Sequence, residues 1–217
     1  MKLRDLLLAV ACGCLGSGAL AHGTEKHATP PVIDLANEVM PLPWKLGGGF
    51  ELIDHTGTTR TQIDPEGRMQ LVFFGYANCP GICSAALPMM ADAAEVLERR
   101  GISVSPVLIT IDPVLDTVET MGPALTKISA DLVGLTGNRE ALSEAYDAFQ
   151  INFEKIMDDP EYGAIYAHSS HIFLLDASGR VLTLIPPILP VEHVIEIVTK
   201  YSDSLARFDV ELGEDGK

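Results

Sequence analysis

Cys79 and Cys83 are the two residues whose type and spacing best support chemistry. On a helix, side chains four residues apart lie on one face, so the two sulfurs would point at one place. Free N–H groups and the positive dipole at the start of a helix favour the thiolate, the form that binds metal or attacks a disulfide. The spacing therefore predicts dithiol chemistry, metal binding or both. A purely structural disulfide is disfavoured, because a bridge that closes so short a loop removes little chain entropy.

The residues around these cysteines predict a strand, a short loop and a helix. The continuous apolar run at residues 71–74 is typical of a strand that is buried on both faces. A loop rich in Gly, Asn and Pro follows, and residues 84–97 are mostly good helix formers with apolar side chains at helical spacing. We expect Cys79 at or near the N-cap of this helix, with Pro80 just inside it.

The rest of the chain alternates between strand and helix patterns, then ends in a hairpin and a last helix. Strands alternating with helices predict a layered α/β fold whose sheet contains both parallel and antiparallel strands. We therefore predict a thioredoxin-like fold with a mixed central sheet flanked by helices and an N-terminal β-hairpin. The predicted strands are 50–53, 59–62, 104–111, 132–135, 172–175 and 181–185, and the further helices are 117–128, 139–149 and 191–201.

Two histidines, His168 and His171, precede the predicted strand at residues 172–175 and offer a third ligand. Side chains three positions apart point to opposite faces of a strand, so the two imidazoles are not expected to reach one site. One imidazole with two thiolates makes a soft, low-coordinate site that suits Cu(I) and still holds Cu(II), whereas tetrahedral zinc requires a fourth ligand. The spacing places neither histidine near the cysteines, and a role as a hydrogen-bonded residue at a strand edge stays open for both.

Three more residues near this region carry soft or charged donors. Met89 and Met90 are possible soft ligands, but on an alanine-rich helix they are expected to fill the core. Asp112 follows a predicted strand, where it is expected to form a turn, with orientation of the site as the functional alternative.

The beginning of the chain predicts export. Basic residues precede an apolar segment at residues 6–20 that ends in small residues, which is the pattern of a secretory signal peptide at residues 1–21. An uncleaved N-terminal anchor is the alternative. Cleavage would remove Cys12 and Cys14 and leave the pair described above in an oxidising compartment, the periplasm, where it needs a reductant or a metal.

Composition divides the remaining chain into three parts and excludes some partners. Residues 22–41 are rich in proline and lack periodicity, which predicts a flexible spacer, and residues 42–205 are expected to form one domain. Residues 206–217 are predicted to form an acidic tail. A formal net charge of −15 argues against nucleic acid and against binding to anionic membranes other than through the N-terminal segment.

Five collinear segments resemble the SCO/SenC family of copper-binding proteins with a thioredoxin fold. The resemblance implies that copper is bound by Cys79, Cys83 and His168, while His171 is a bystander. It also implies a role in assembling the copper centre of respiratory cytochrome c oxidase, with subunit II as a possible acceptor. The segments are GGGFELIDHTG (47–57), FFGYANCPGIC (73–83), ITIDPVLDT (109–117), LVGLTG (132–137) and HSSHIFLLDASGR (168–180).

The chain departs from the family pattern at four positions outside the ligands. The family usually has Asp at Gly81, Pro at Ser84, Arg at Leu115 and Asp at Ala167. The carboxylate missing at residue 167 would lie beside the ligand histidine, where it is expected to support the ligand or contact a partner. These departures leave a divergent member with another copper acceptor, or one that acts mainly on thiols, as alternatives.

Two function classes follow from the sequence. In the first, the protein is a copper metallochaperone that holds Cu(I) or Cu(II) and passes it to an acceptor protein by ligand exchange. In the second, it is a thiol-disulfide oxidoreductase in which Cys79 attacks a disulfide and Cys83 resolves the mixed disulfide. The spacing of the cysteines favours copper, because thioredoxin-type reductants have Cys-x-x-Cys and this chain has three residues between its cysteines.

Overall fold

The computed structural model describes residues 42 and 44–214, with side chains described as far as residue 207. The predicted signal peptide (1–21) and spacer (22–41) lie outside the described residues. Within the described part, no helix combines the length and the apolar composition that crossing a lipid bilayer requires.

Nine strands and four helices make up the described part of the chain, in an order close to the predicted one. The helices are α1 (Cys83–Arg99), α2 (Val118–Leu125), α3 (Arg139–Ala148) and α4 (Val191–Glu214). The strands are β1 (Glu51–Asp54), β2 (Thr59–Thr61), β3 (Met69–Gly75), β4 (Val104–Thr110), β5 (Val133–Thr136), β6 (Phe153–Asp159), β7 (Gly163–His168), β8 (Ile172–Leu175) and β9 (Val181–Ile185).

Seven strands form one mixed sheet in the order β2-β1-β5-β4-β3-β8-β9. Strand β4 runs parallel to both β3 and β5, whereas β8 is antiparallel to β3 and β1 is antiparallel to β5. The hairpin of β1 and β2 is thus joined to the edge of the sheet at β5. The predicted mixed sheet and N-terminal hairpin are both confirmed.

Strand β3 lies at the centre of the fold, and every one of its residues is buried. Alternate side chains point to opposite faces of a strand. Leu71 and Phe73 accordingly pack into one core with α1 and α4, and Val72 and Phe74 pack into the other core with α3. Cover on both faces explains the continuous apolar run, and it fixes the end of β3 as a rigid base for the loop that follows.

The structure differs from the sequence-based expectations in three places. Helix α1 begins at Cys83 with Ile82 as its N-cap, so the prediction that Cys79 lies at the N-cap with Pro80 just inside the helix is wrong. A turn closed by the Cys79 N–H and the Tyr76 carbonyl oxygen, 3.3 Å apart, holds Cys79 in the loop instead. Helix α4 continues to Glu214, so it is longer than predicted and includes much of the segment expected to form an acidic tail.

The third difference is the hairpin of β6 and β7, which was not predicted. It forms a separate two-stranded sheet, and its first strand is almost wholly exposed. A register shift between Lys155 and Met157 interrupts the alternation of side chains that normally marks a strand. The hairpin matters for function because His168 is its last residue.

Candidate metal centre

The cysteine loop, residues 76–82, connects the end of β3 to the start of α1 and is held by contacts from other parts of the chain. The Ala77 N–H donates to the Asp116 carboxylate at 2.9 Å. The Asn78 side-chain amide donates to the Tyr162 carbonyl oxygen at 3.2 Å, which ties the loop to the tip of the β6–β7 hairpin. Two elements distant in sequence therefore fix the position of Cys79.

The structure brings together Cys79, Cys83 and His168, the three predicted ligands. Their two sulfurs and one imidazole nitrogen all lie within 4.8 Å of one another, and the Cys83 Sγ is 3.9 Å from the His168 Nε2. Both cysteines are free thiols. His171 is exposed, lies in the loop between β7 and β8, and belongs to no such group among the described residues.

The His168 ring is oriented with one nitrogen toward the sulfurs. Its Nδ1–H donates a hydrogen bond to the Ser169 carbonyl oxygen at 2.8 Å. The other ring nitrogen, Nε2, is therefore the one that can bind a metal. The rings of Phe73 and Tyr76 pack edge-on against the imidazole, with centroids 5.9 and 6.3 Å away. These contacts fix the orientation of the ring, with Nε2 on the side of the two sulfurs.

The two sulfurs differ strongly in acidity. Cys79 is half-buried, and hydrogen bonding from Cys83, with further contributions from His168 and the backbone, lowers the pKa of Cys79 to about 4. The same hydrogen bond, together with burial, raises the pKa of Cys83. Burial lowers the pKa of His168, but hydrogen bonding to Cys79 and to the Ser169 carbonyl raises it overall. The more accessible sulfur is thus the more acidic of the two.

Gly75 allows the buried Cys83 sulfur to approach the end of β3. A Cβ atom at residue 75 would lie 2.9 Å from the Cys83 Sγ and 2.8 Å from a ring carbon of Phe73. Both distances are too short for a real contact, so any larger residue must displace the sulfur or the ring. The small residue that ends β3 is therefore part of the metal centre.

Gly75→Ala is expected to reduce the free energy of unfolding by about 1–3 kcal/mol, because it overpacks a filled core, and to weaken copper binding by moving Cys83. Urea unfolding of the metal-free protein and a competitive copper titration measure the two effects. Gly49→Ala is the matched control, since a Cβ atom there meets nothing closer than 3.6 Å. Equal stability and copper affinity in the two variants would contradict the packing argument.

Asp116 positions the cysteine loop from beneath. Its carboxylate is buried and accepts hydrogen bonds from the Ala77 N–H and, at 2.7 Å, from the Thr110 hydroxyl. Burial raises the pKa of Asp116 to about 6. The residue lies in the segment ITIDPVLDT, but the sequence analysis assigned it no role. An acidic residue a few positions after a buried strand was the available signal.

Asp116→Ala is expected to weaken copper affinity about tenfold to a hundredfold, the usual effect of losing a group that supports a metal ligand. It leaves the Ala77 N–H without its acceptor and frees the loop. Asp116→Asn retains an oxygen acceptor and should restore most of the affinity. A competitive titration measures both variants, and the Cu(II)–thiolate absorption band should shift in the alanine variant. An unchanged affinity and band in Asp116→Ala would show that the loop is positioned without this carboxylate.

The fold and this site define a thioredoxin-like protein that groups two cysteine sulfurs and one histidine nitrogen at the start of its first helix. A sequence model of the SCO1/SenC family matches residues 40–203. The chain belongs to the SCO1/SenC family.

Individual relatives agree with this assignment. An SCO2-like protein from Rickettsia conorii is 36% identical over 141 residues, which cover 64% of this chain and 68% of that protein. The copper-bound ScoI of Bradyrhizobium japonicum superimposes with a TM-score of 0.64 at 25% identity, covering 72% of this chain and 99% of that chain. The copper-bound ScoI of Arabidopsis thaliana gives 0.66 at 24% identity, covering 73% and 99%. These likenesses confirm the predicted thioredoxin-like fold.

Proposed function

We propose that this protein binds one copper ion through Cys79, Cys83 and His168 and delivers it to an acceptor copper protein. The observation that carries the proposal is the set of two sulfurs and one imidazole nitrogen within 4.8 Å. Thiolate ligands select Cu(I), and a bound imidazole also suits Cu(II). Structural zinc sites are almost always four-coordinate, and no fourth His, Cys, Asp or Glu joins this group in the described part of the chain.

Partial exposure of the site supports transfer rather than storage. Cys79 and His168 are half-buried and Cys83 is fully buried. An acceptor thiolate or imidazole reaches copper from the side of the two half-buried ligands, while Cys83 keeps hold of it from below. Ligand exchange then moves the ion with no step in which it is free in solution.

The copper-bound relatives and the family resemblance support copper as the ion and an oxidase copper centre as the destination. We propose the copper domain of cytochrome c oxidase subunit II as the acceptor, and export to the periplasm as the setting. The signal-like residues 1–21 support export, either with cleavage or with this segment kept as an anchor.

The missing aspartate at residue 167 does not disturb the ligand set. Ala167 is exposed and pairs with Glu154 across the β6–β7 hairpin. Residues paired in this way have their Cβ atoms about 4.5–5.5 Å apart, so a carboxylate is retained next to residue 167. The substitution is expected to alter partner contacts more than copper affinity.

Transfer is tested by mixing the Cu(I)-loaded protein with the reduced, metal-free copper domain of oxidase subunit II and separating the two. We expect most of the copper to be recovered on the acceptor. The same experiment with Cu(I)-glutathione as donor, in place of the protein, controls for release into solution. Transfer no faster than from Cu(I)-glutathione would contradict the delivery role, although copper binding itself would stand.

A thiol-disulfide oxidoreductase is the second candidate, and the contrast between the two thiols favours it. The Cys79 thiolate would attack a partner disulfide, forming a mixed disulfide and releasing one partner thiolate. Cys83, after losing its proton, would attack the Cys79 sulfur and release the second partner thiolate. Two electrons pass to the partner, and the Cys79–Cys83 disulfide remains. Metal-free protein should then reduce a protein disulfide much faster than an equal concentration of dithiothreitol does, and a rate equal to that of the reagent excludes this role.

A further inference from the structure

A small cavity lies beside the metal centre, between the loop that follows β4, the start of α3 and the β6–β7 hairpin. Its volume is about 270 Å³. It shares structure with the metal centre at two points, since Tyr166 lies two residues before His168 and the loop of Asp112 continues to Asp116, which holds the cysteine loop. The lining includes Asp112, Val114, Arg139, Tyr146, Phe153 and Tyr166.

Asp112 is the unusual residue in this cavity. It is only 2% exposed, and its Oδ2 has no hydrogen-bond partner among the described residues. A turn begins at Asp112, as expected, but the backbone forms it and not the side chain. The Asp112 carbonyl oxygen accepts hydrogen bonds from the N–H groups of Leu115 and Asp116. Leaving a buried acceptor unpaired costs about 1–3 kcal/mol, and more when the group is charged. Such a group requires an explanation.

Several polar groups surround Asp112. Lys155, which pairs with Tyr166 across the hairpin, forms its ion pair with Asp158. The Tyr146 hydroxyl donates to the Thr110 carbonyl oxygen at 2.7 Å and is therefore engaged elsewhere. Asp116 carries a charge of the same sign. The Asp112 Oδ2 thus lies at the cavity without a hydrogen-bond partner in the described part of the chain.

Three of the residues that line the cavity are aromatic. Phe153 packs edge-on between Tyr146 and Tyr166, with ring centroids 5.1 and 6.1 Å away. Aromatic faces attract cations, and a carboxylate at the end of an aromatic channel suits a positive group carried on an apolar stem. The volume is below the roughly 300–1,000 Å³ of pockets for drug-sized ligands, so one long side chain is the appropriate occupant.

We propose that this cavity, the Asp112 pocket, receives a lysine or arginine side chain of the copper-accepting protein and anchors that protein next to the metal centre. This inference rests on the proposed delivery of copper. The surrounding charge supports a basic partner, because the chain has a formal net charge of −15 and the adjacent hairpin carries four acidic residues, Glu154, Asp158, Asp159 and Glu161, against the single lysine Lys155 that pairs with Asp158. Arginine is among the residues that most often dominate the binding energy of protein interfaces.

The charge of Arg139 offers a second way to test the proposal. Its side chain is exposed at the lining of the pocket and forms no ion pair within the described part of the chain. This positive charge opposes a cationic ligand and would assist an anionic one. Removing it should therefore strengthen binding of a cation.

The test is an NMR titration of the metal-free protein with N-acetyl-lysine methylamide and N-acetyl-arginine methylamide. We expect saturable shifts of the backbone amides of residues 111–116 and 166, with millimolar affinity for at least one of the two probes. Neutral N-acetyl-norleucine methylamide should bind at least about tenfold more weakly. Asp112→Asn should weaken the cationic probe about tenfold, and Arg139→Gln should strengthen it severalfold.

Two further variants keep the test decisive. Glu95→Gln removes an exposed carboxylate that pairs with Arg99 on α1, and it should leave probe affinity unchanged. Val114 is 82% exposed, so Val114→Lys does not challenge folding and supplies a competing ammonium group that should weaken the probe. Equal binding of the norleucine probe, or unchanged affinity in both Asp112→Asn and Val114→Lys, would overturn the proposal.

The pocket and the proposed function fail separately. In the transfer assay, Asp112→Asn should bind one copper per chain as the unmodified protein does, while the acceptor concentration needed for half-maximal transfer rate rises about tenfold. If Asp112→Asn weakens probe binding but transfers copper at the normal acceptor concentration, the docking role of the pocket is refuted and the delivery role stands. Normal probe binding without copper transfer would refute the delivery role alone.

Discussion

Replacing His168 with alanine is expected to abolish the Cu(II)–thiolate absorption band and to lower Cu(I) affinity by at least about a hundredfold. Among the described residues, His168 is the only histidine that joins the two sulfurs in one ligand group, and Cu(II) depends on the imidazole more than Cu(I) does. Cys79→Ala and Cys83→Ala should lose the band as well, since each removes a thiolate. Spectroscopic titration with Cu(II), and competition with a Cu(I) chelator, measure the two oxidation states.

His171→Ala is the matched control for this experiment. Residue 171 is exposed, three positions further along the chain, and outside the ligand group. The His171→Ala variant should bind one copper per chain, and its Cu(II) absorption spectrum should be unchanged. The ligand assignment would be wrong if His168→Ala bound both oxidation states normally while His171→Ala did not.

The second large effect is the acidity of Cys79 in the reduced, metal-free protein. Because its pKa is lowered to about 4, the thiolate should persist from pH 8 down to about pH 5 and disappear as the pH falls through 4. The rate of alkylation at residue 79 by iodoacetamide, followed by mass spectrometry, should therefore be nearly constant between pH 8 and pH 5. An ordinary cysteine, with a pKa near 8.5, would slow about tenfold for each pH unit below that value.

Cys83→Ala identifies the cause of this acidity. Hydrogen bonding from Cys83 makes the largest contribution to lowering the pKa of Cys79. Its removal should move the pKa back toward the ordinary value and slow alkylation at pH 6 on the order of a hundredfold. His168→Ala should produce a smaller change in the same direction. An alkylation rate in the unmodified protein that rises steadily from pH 5 to pH 8 would contradict this account.

The main sheet was predictable because its strands are buried. The apolar run at 71–74 lies within the fully buried β3, and the paired strands β8 and β9 coincide with the predicted ranges. Helix α3 begins at residue 139 as predicted, and the side chain of Asn138 just before it accepts from the Ala141 N–H at 2.9 Å. In each case local composition and tertiary burial favour the same element.

The β6–β7 hairpin was not predictable by the same reasoning. Ile156 and Met157 are adjacent, and both are more than half exposed, so no alternation of buried and exposed residues marks the strand. The hairpin is held by pairing between its own strands and by contacts of its tip, such as the one from Asn78 to Tyr162. Contacts of that kind leave no periodic pattern in the sequence.

The metal centre was predictable only in part. Spacing joined Cys79 to Cys83, although the position of Cys79 at a helix N-cap was wrong. His168 lies 85 residues beyond Cys83, and family resemblance rather than spacing singled it out. The roles of Asp116 and Gly75 depend on which loops meet in three dimensions, and for that reason the sequence analysis did not find them.

X-ray absorption spectroscopy of the copper in the Cu(I)-loaded protein is the most direct test of the proposed metal centre. We expect one copper per chain with two sulfur neighbours and one imidazole nitrogen, and loss of the nitrogen in His168→Ala with both sulfurs retained. A first shell of sulfur alone in the unmodified protein, or one that contains a single sulfur, would contradict the Cys79, Cys83 and His168 site.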